Sequence, residues 1–323
     1  MTGILLQWER GRPDEARQVI ALRSYYEFLA QRLYHEYEPT KHATANARRD
    51  FLKRLEAWLS GFENKSHAMT AFKSIQYIFF AGTAEYEELY RCAYSHHICS
   101  WVMNQENIGL FDLNVDEKVD QSVRKTWICP ATDSLRINGF LHINSLRGHD
   151  LRTDWRSLSM LGDDDLIQKY VDRKQIKRLV IVDDFVGAGN QFWGSLSYAI
   201  KVFPGNILAI PLICCASGLR MIKRELEMAG IERVEVSPVL VVPDNCMVGE
   251  TVMEGEPKLF SKMRKAMKFG YDKMRINTSG EEYGSGRLGS LTVLYSNCPN
   301  NTPPIYGLDA GGRWSPIFKR ISR

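Results

Sequence analysis

The chain has 323 residues, 44% hydrophobic and 25% charged, enough apolar mass for a substantial buried core in one large or two ordinary domains of a soluble globular protein. A net charge of +4 is compatible with binding phosphates or nucleic acid and requires neither. The longest apolar runs, such as Ile207 to Cys215, are too short for a membrane span and contain Pro211, which excludes integral membrane insertion; seven cysteines without a CxxC pair and an opening MTGILLQWER fit reduced thiols in a cytoplasm.

From Arg12 to about Gln105 apolar residues recur three and four apart, as in ARQVIALRSYYEFLAQRLYHEY and ARRDFLKRLEAWLSGF, which predicts helices throughout. Pro13 with Asp14 and Glu15 suits a first helical turn, and Gly61 with ENKSH suits a stop. Thr83 suits a cap ahead of Glu85 and Glu87. In that last helix Cys92, His96 and Cys99 fall at i, i+4 and i+7 on one face, beside His97. Zinc takes such groups but needs a fourth ligand, so a buried stripe with one hydrogen-bonded histidine is the expectation.

The stretch NIGLFDLNVDEKVD, between about Asn107 and Asp120, is acidic and weakly periodic and reads as a junction. A short buried strand, Trp127 to Ala131, then delivers Thr132, Asp133 and Ser134 to a helix start. Two readings stand there: an anion-binding corner, or plain N-capping by Asp133 or Ser134. Arg147 to Asp165 reads as a long loop or mobile flap carrying Arg147, Arg152 and Arg156. The helix DLIQKYVDRKQ leads on to LVIVDDFVGAGN.

In that stretch an apolar run enters two adjacent carboxylates, Asp183 and Asp184, and then a loop with glycines at Gly187 and Gly189. It reads as a buried parallel strand, a tight turn and a helix N-terminus. The strand NILAIPLICCA, a helix from about Gly218 to Met228 and the strand ERVEVSPVLVV follow. The alternation predicts an α/β fold with a doubly wound, mainly parallel sheet, whose crevice Ala216, Ser217 and Gly218 would also line. Further on, Pro257 to Arg275 carries seven Lys or Arg against one Asp, an amphipathic basic helix with Met and Phe inward. The segment Tyr283 to Arg320 is rich in glycine, proline and asparagine. Within it SLTVLYS reads as a strand, and Tyr306, Trp314 and Phe318 either stack on a ligand ring or cap a core.

The glycine spacing is wrong for a dinucleotide fingerprint, and no GxxxxGK[ST] phosphate loop exists. Residues Val180 to Gln191 instead resemble the phosphoribosyl pyrophosphate motif of type I phosphoribosyltransferases. Carboxylates accept charge-assisted hydrogen bonds well, as from vicinal ribose hydroxyls, and backbone amides freed by glycine can wrap a phosphate. The resemblance implies that Asp183 and Asp184 hold the ribose and serve catalysis, with magnesium bridging pyrophosphate and ribose beside them. It implies that Gly187, Ala188, Gly189, Asn190 and Gln191 hold the 5′-phosphate. Thr132, Asp133 and Ser134 become the pyrophosphate-binding loop, Arg147 to Asp165 the flap, and the C-terminal irregular segment a hood over the base. Purine-specific members often carry an acid where this chain has Gly187, and a hydroxyl commonly stands where it has Gln191. The DDFVGAGNQ variant, with NCPNNTPPIYG and RWSPIF, is similar to phosphoribosyltransferase-like proteins of bacterial conflict and defence systems.

These readings imply a helical subdomain over residues 1–118 and a phosphoribosyltransferase-like domain with its hood over 119–323. Two functions stand. One is a magnesium-dependent enzyme acting at C1 of a ribose 5-phosphate unit, as an effector in antiviral defence. The other is a regulatory module that binds phosphoribosyl pyrophosphate or a nucleotide. Expected partners are a protein through the helical third and nucleic acid through Pro257 to Arg275, with oligomerisation left open.

Overall fold

The computed structural model describes residues 3–40, 47–149, 164–275 and 281–321. The chain forms two compact units, residues 1–83 with 243–323 and residues 84–242. Among the described residues, no helix is long and apolar enough to cross a membrane.

Unit 1 opens with α1 (Ile4–Glu9), α2 (Pro13–Arg32), α3 (Ala47–Ser60), α4 (Lys65–Ser74) and the short strand β1 (Phe79–Ala81). Helix α2 starts at Pro13, whose missing N–H costs nothing in a first turn, and α3 stops just before Gly61, both as expected. The unit changes at the start of α5 (Thr83–Cys92), whose first amide, that of Thr83, is capped by the Glu36 carboxylate at 2.6 Å.

Unit 2 continues through a π-helical turn, Ala93–Cys99, into α6 (Ser100–Glu106) and α7 (Val115–Arg124). Then come β2 (Thr126–Pro130), α8 (Ile137–Ile143), α9 (Asp164–Lys174), β3 (Arg178–Val186) and α10 (Asn190–Val202). The unit ends with β4 (Asn206–Cys215), α11 (Ala216–Met228), β5 (Val234–Val236) and β6 (Leu240–Val242). The sheet runs β2-β3-β4-β5 with every pairing parallel, and β6 extends the β5 edge along the C-terminal half of β4. The expected strand ERVEVSPVLVV is therefore two short strands, and between them Ser237 N and Val239 N still donate to Ala209 O and Pro211 O of β4 at 2.9 and 3.0 Å.

Alternation along the strands explains how both faces are covered. Trp127, Cys129, Leu179, Ile181, Ile207 and Ala209 form one core with Ile167 of α9, Phe192 and Leu196 of α10, and Ile222 of α11. The intervening Val180, Val182, Leu208 and Ile210 are equally buried on the opposite face. The π-helical turn packs against β4, and polar ties bind the preceding helices to the strand starts. Buried Arg178 bonds to the Glu106 carboxylate of α6, to Ser122 O of α7 at 2.9 Å and to Thr126 Oγ1 at 3.2 Å. His97 Nδ1 meets Ser237 Oγ at 2.9 Å. This is the α/β architecture expected, but the helices of 84–118 sit in the sheet unit, because half of an all-parallel sheet would otherwise face water. The division thus does not coincide with the boundary expected at 118/119.

The chain re-enters unit 1 through α12 (Leu259–Met274), β7 (Thr292–Leu294) and α13 (Pro304–Gly307). As expected, α12 turns Phe260, Met263, Met267 and Met274 inward, and SLTVLYS holds a strand, which pairs parallel with β1. Tyr306, Trp314 and Phe318 are fully buried with Trp58, Phe62 and Tyr34, so they cap a core and present no stacking surface. The segment expected as a hood is built into unit 1.

Candidate functional site

The parallel register places two of the expected site segments together. Pro130 of β2 stands opposite Val182 of β3, and Ala131 N bonds to Val182 O at 2.8 Å, so the turn leaving β2 rises beside the acid pair. Thr132 Oγ1 donates to Asp183 Oδ1 at 2.7 Å, and Ser134 Oγ to Asp184 Oδ1 at 2.6 Å. The two hydroxyls are 2.6 Å apart, and the Phe185 amide donates to the same Asp184 oxygen at 2.8 Å. Both acids are only 3–4% exposed. Buried carboxylates demand donors of this kind, and here two of them are side-chain hydroxyls from a neighbouring turn. Ser195 Oγ of α10 donates to Ala131 O at 2.9 Å and pins the turn from below.

The capping alternative does not hold. Helix α8 begins after Arg136 with no side-chain cap, and the Ser134 hydroxyl goes to Asp184. Asp133 is exposed and takes no part in these bonds. The carboxylates also lie inside the strand, which runs on to Val186 before the three-residue loop 187–189.

That loop hands over to α10 through Gly189, whose φ of 92° suits glycine, and no side chain caps the helix. Its first-turn amides, those of Asn190 and Gln191 among them, have no intrahelical acceptor and no capping one among the described residues. Gly218 of α11 packs on the loop so closely that a Cβ there would lie 2.1 Å from Gly187 O. Beside it, Ser217 Oγ is buried with no hydrogen-bond partner among the described residues. Of the three residues expected in the crevice after β4, Gly218 shapes the loop and Ser217 offers a free hydroxyl. Cys214, buried at the end of β4, has its thiol pushed up to about 12, by burial first and in smaller part by the Asp183 carboxylate. It stays a neutral thiol at neutral pH.

Other expected elements fall elsewhere. Residues 150–163 of the flap, with Arg152 and Arg156, lie outside the described residues, while Arg147 is exposed. The π-helical turn breaks the α-helical spacing of Cys92, His96 and Cys99. Among the described residues no group of three or more His, Cys, Asp and Glu side chains could hold a metal ion. Asp183 and Asp184 offer the hard oxygens magnesium accepts, and a pair alone fits an ion held mostly through substrate oxygens. In the basic segment, Arg264 is tied to Glu256 at 2.6 Å and Lys273 to Glu63 at 3.1 Å, which leaves Lys258, Lys262, Lys265 and Lys268 exposed. Sequence reasoning missed Ser195 and Arg178, whose parts depend on strand register rather than on any local pattern.

An all-parallel sheet in which a hydroxyl-bearing turn after one strand meets an acid pair within the next, with a glycine loop opening the following helix, defines a phosphoribosyltransferase-like α/β protein. The chain belongs to the PRTase-CE family, whose family model matches residues 55–320. No curated protein and no solved structure matches it.

Proposed function

We propose that the chain binds phosphoribosyl pyrophosphate, or a nucleotide containing ribose 5-phosphate, with magnesium, and acts at C1 of the ribose. The observation that carries this reading is the pair of bonds from Thr132 and Ser134 to Asp183 and Asp184. The carboxylates already accept two adjacent hydroxyls, which is the chemistry that vicinal ribose hydroxyls supply. On binding, the sugar takes over as donor, and the 132–134 turn is released to face the pyrophosphate. The 5′-phosphate sits on the backbone of Gly187 to Gln191 at the α10 N-terminus, where free amides and the helix dipole favour an anion.

As the bond from C1 to pyrophosphate breaks, its electron pair leaves with pyrophosphate and positive charge develops on the sugar. Asp183 and Asp184, fixed in a strand and shielded from water, stabilise that charge. Magnesium would neutralise charge on the departing pyrophosphate. The ribose 5-phosphate unit passes to an acceptor nucleophile or to water. The resemblance of DDFVGAGNQ to proteins of bacterial conflict systems supports a cytoplasmic effector of antiviral defence as the setting. A second reading, binding without turnover, is favoured by Gly187, which leaves the loop without an acid for a base.

The test is calorimetry with phosphoribosyl pyrophosphate and magnesium, run beside pyrophosphate release in the presence of bases, nucleotides or water alone. Binding with release, both abolished by Asp183→Asn with Asp184→Asn, supports the enzyme. Binding without release leaves the sensing reading, and no binding refutes both.

A further inference from the structure

Unit 1 contains a cavity of about 530 Å³ that the strand-end site does not use. Arg12 at the head of α2, Lys65 and Lys73 of α4, and Lys262 of α12 converge on it, against the single carboxylate of Glu15. Glu15 lies 3.6 Å from Lys65, while Arg12, Lys73 and Lys262 have no acidic partner among the described residues. Some other cations of the unit are matched, Arg23 with Glu9 and Glu27, Arg264 with Glu256 and Lys319 with Asp309, while Lys258, Lys265 and Lys268 stand exposed on the surface of α12 and the residues before it. Four like charges drawn from three helices to one concavity repel one another, and Glu15, paired with Lys65, offsets only part of that cost.

The floor is different in kind. Met69 is buried and Leu259 half-buried, so a polar rim surrounds an apolar base. The volume falls in the range of small-ligand sites, and the lining has no aromatic ring on which the bases of a nucleic acid strand would stack.

We propose that this cavity binds a nucleoside di- or triphosphate. Its phosphate chain is held by Arg12, Lys65, Lys73 and Lys262, and its nucleoside rests on Met69 and Leu259. The site shares no residue with the acid pair of unit 2, so it stands independently of the reaction at C1.

The experiment titrates ATP and GTP into the full chain by calorimetry, at low and at physiological salt, using Lys73→Met with Lys262→Met and, separately, Arg12→Met. The methionines keep the apolar stems, and thermal melting without ligand confirms that each variant folds. The expected result is affinity weakened about tenfold or more in the double lysine variant, with stoichiometry reduced by one site. Binding at this site persists in the Asp183→Asn with Asp184→Asn variant, which disables only the strand-end site. The inference is overturned if nucleotide binding is absent, if it is unchanged in both basic-residue variants, or if the Asp variant abolishes it entirely. It is overturned too if a single-stranded oligonucleotide binds there and ATP does not displace it, which would make the face a nucleic-acid surface.

Discussion

Two sets of buried polar groups, one in each unit, end on different kinds of partner. In unit 1, Tyr26 OH donates to Phe72 O and Tyr37 OH to Lys319 O, each at 2.8 Å, while the indole nitrogens of Trp58 and Trp314 converge on Ile305 O at 2.7 and 2.9 Å. These bonds end on backbone carbonyls, which cannot turn away without unfolding their elements. In unit 2 the buried carboxylates of Asp183 and Asp184 accept from the hydroxyls of a short turn, and a hydroxyl can rotate off when a better donor arrives. The first arrangement suits a scaffold, and the second leaves the donors exchangeable.

The sharpest way to break that contrast is Trp314→Ala. It removes a fully buried indole beside Phe62 and Trp58 and should cost about 3–5 kcal/mol in chemical denaturation. Affinity of the remaining folded protein for phosphoribosyl pyrophosphate should be unchanged; a matching loss of affinity would refute the division of labour. Next comes Thr132→Val with Ser134→Ala, which deprives two buried carboxylates of donors and should cost about 3 kcal/mol. Here phosphoribosyl pyrophosphate should raise the melting temperature more than in the parent, because its own hydroxyls restore the missing bonds. An equal shift in both would mean that the ligand never reaches the acids.

Gly218→Ala should cost about 2 kcal/mol and weaken binding, since its new Cβ must push the Gly187 carbonyl away from 2.1 Å. Glu106→Gln has a smaller effect, about 1 kcal/mol, with a distinctive pH dependence. The Arg178 hydrogen bond holds the Glu106 carboxyl below its ordinary value of 4.5. Its contribution is therefore complete above the unfolded value and lost as the pH falls through the lower folded one. In urea titrations the parent's advantage over the variant should be full at neutral pH and shrink on acidification below about 4.3; an advantage independent of pH would refute the ion pair's role.

The strand, loop and helix from Leu179 to Val202 were legible because every signal in them is local: an apolar run, two carboxylates, glycines and an amphipathic repeat. Thr132 and Ser134 were found for the same reason, though their bonds to the acids required the register of β2 on β3. What could not be read depends on distant partners. The helices of 84–118 belong with the sheet because Glu106 meets Arg178 and His97 meets Ser237, and no periodicity encodes contacts 72 and 140 residues apart. The glycine- and proline-rich C-terminal segment carried Tyr306 and Trp314 as two-sided evidence, and only their burial decides for a core. The π-helical turn at Ala93–Cys99 is a change of backbone pitch that leaves the Cys92, His96 and Cys99 spacing looking helical.

Ser217 gives the smallest effect on stability and the cleanest discrimination. Its hydroxyl is buried without a partner among the described residues, at the start of α11 and next to the residue that packs on the 187–189 loop. A buried hydroxyl that makes no bond contributes little to the folded state, so Ser217→Ala should leave unfolding unchanged within about 0.5 kcal/mol. If the hydroxyl is kept for a ligand oxygen, the same change should weaken phosphoribosyl pyrophosphate binding severalfold, the worth of about one hydrogen bond. Calorimetry beside a denaturation curve reads both. A stability loss with intact affinity would place Ser217 with the scaffold, whereas lost affinity at constant stability would extend the exchangeable donors from the β2 turn to the end of β4.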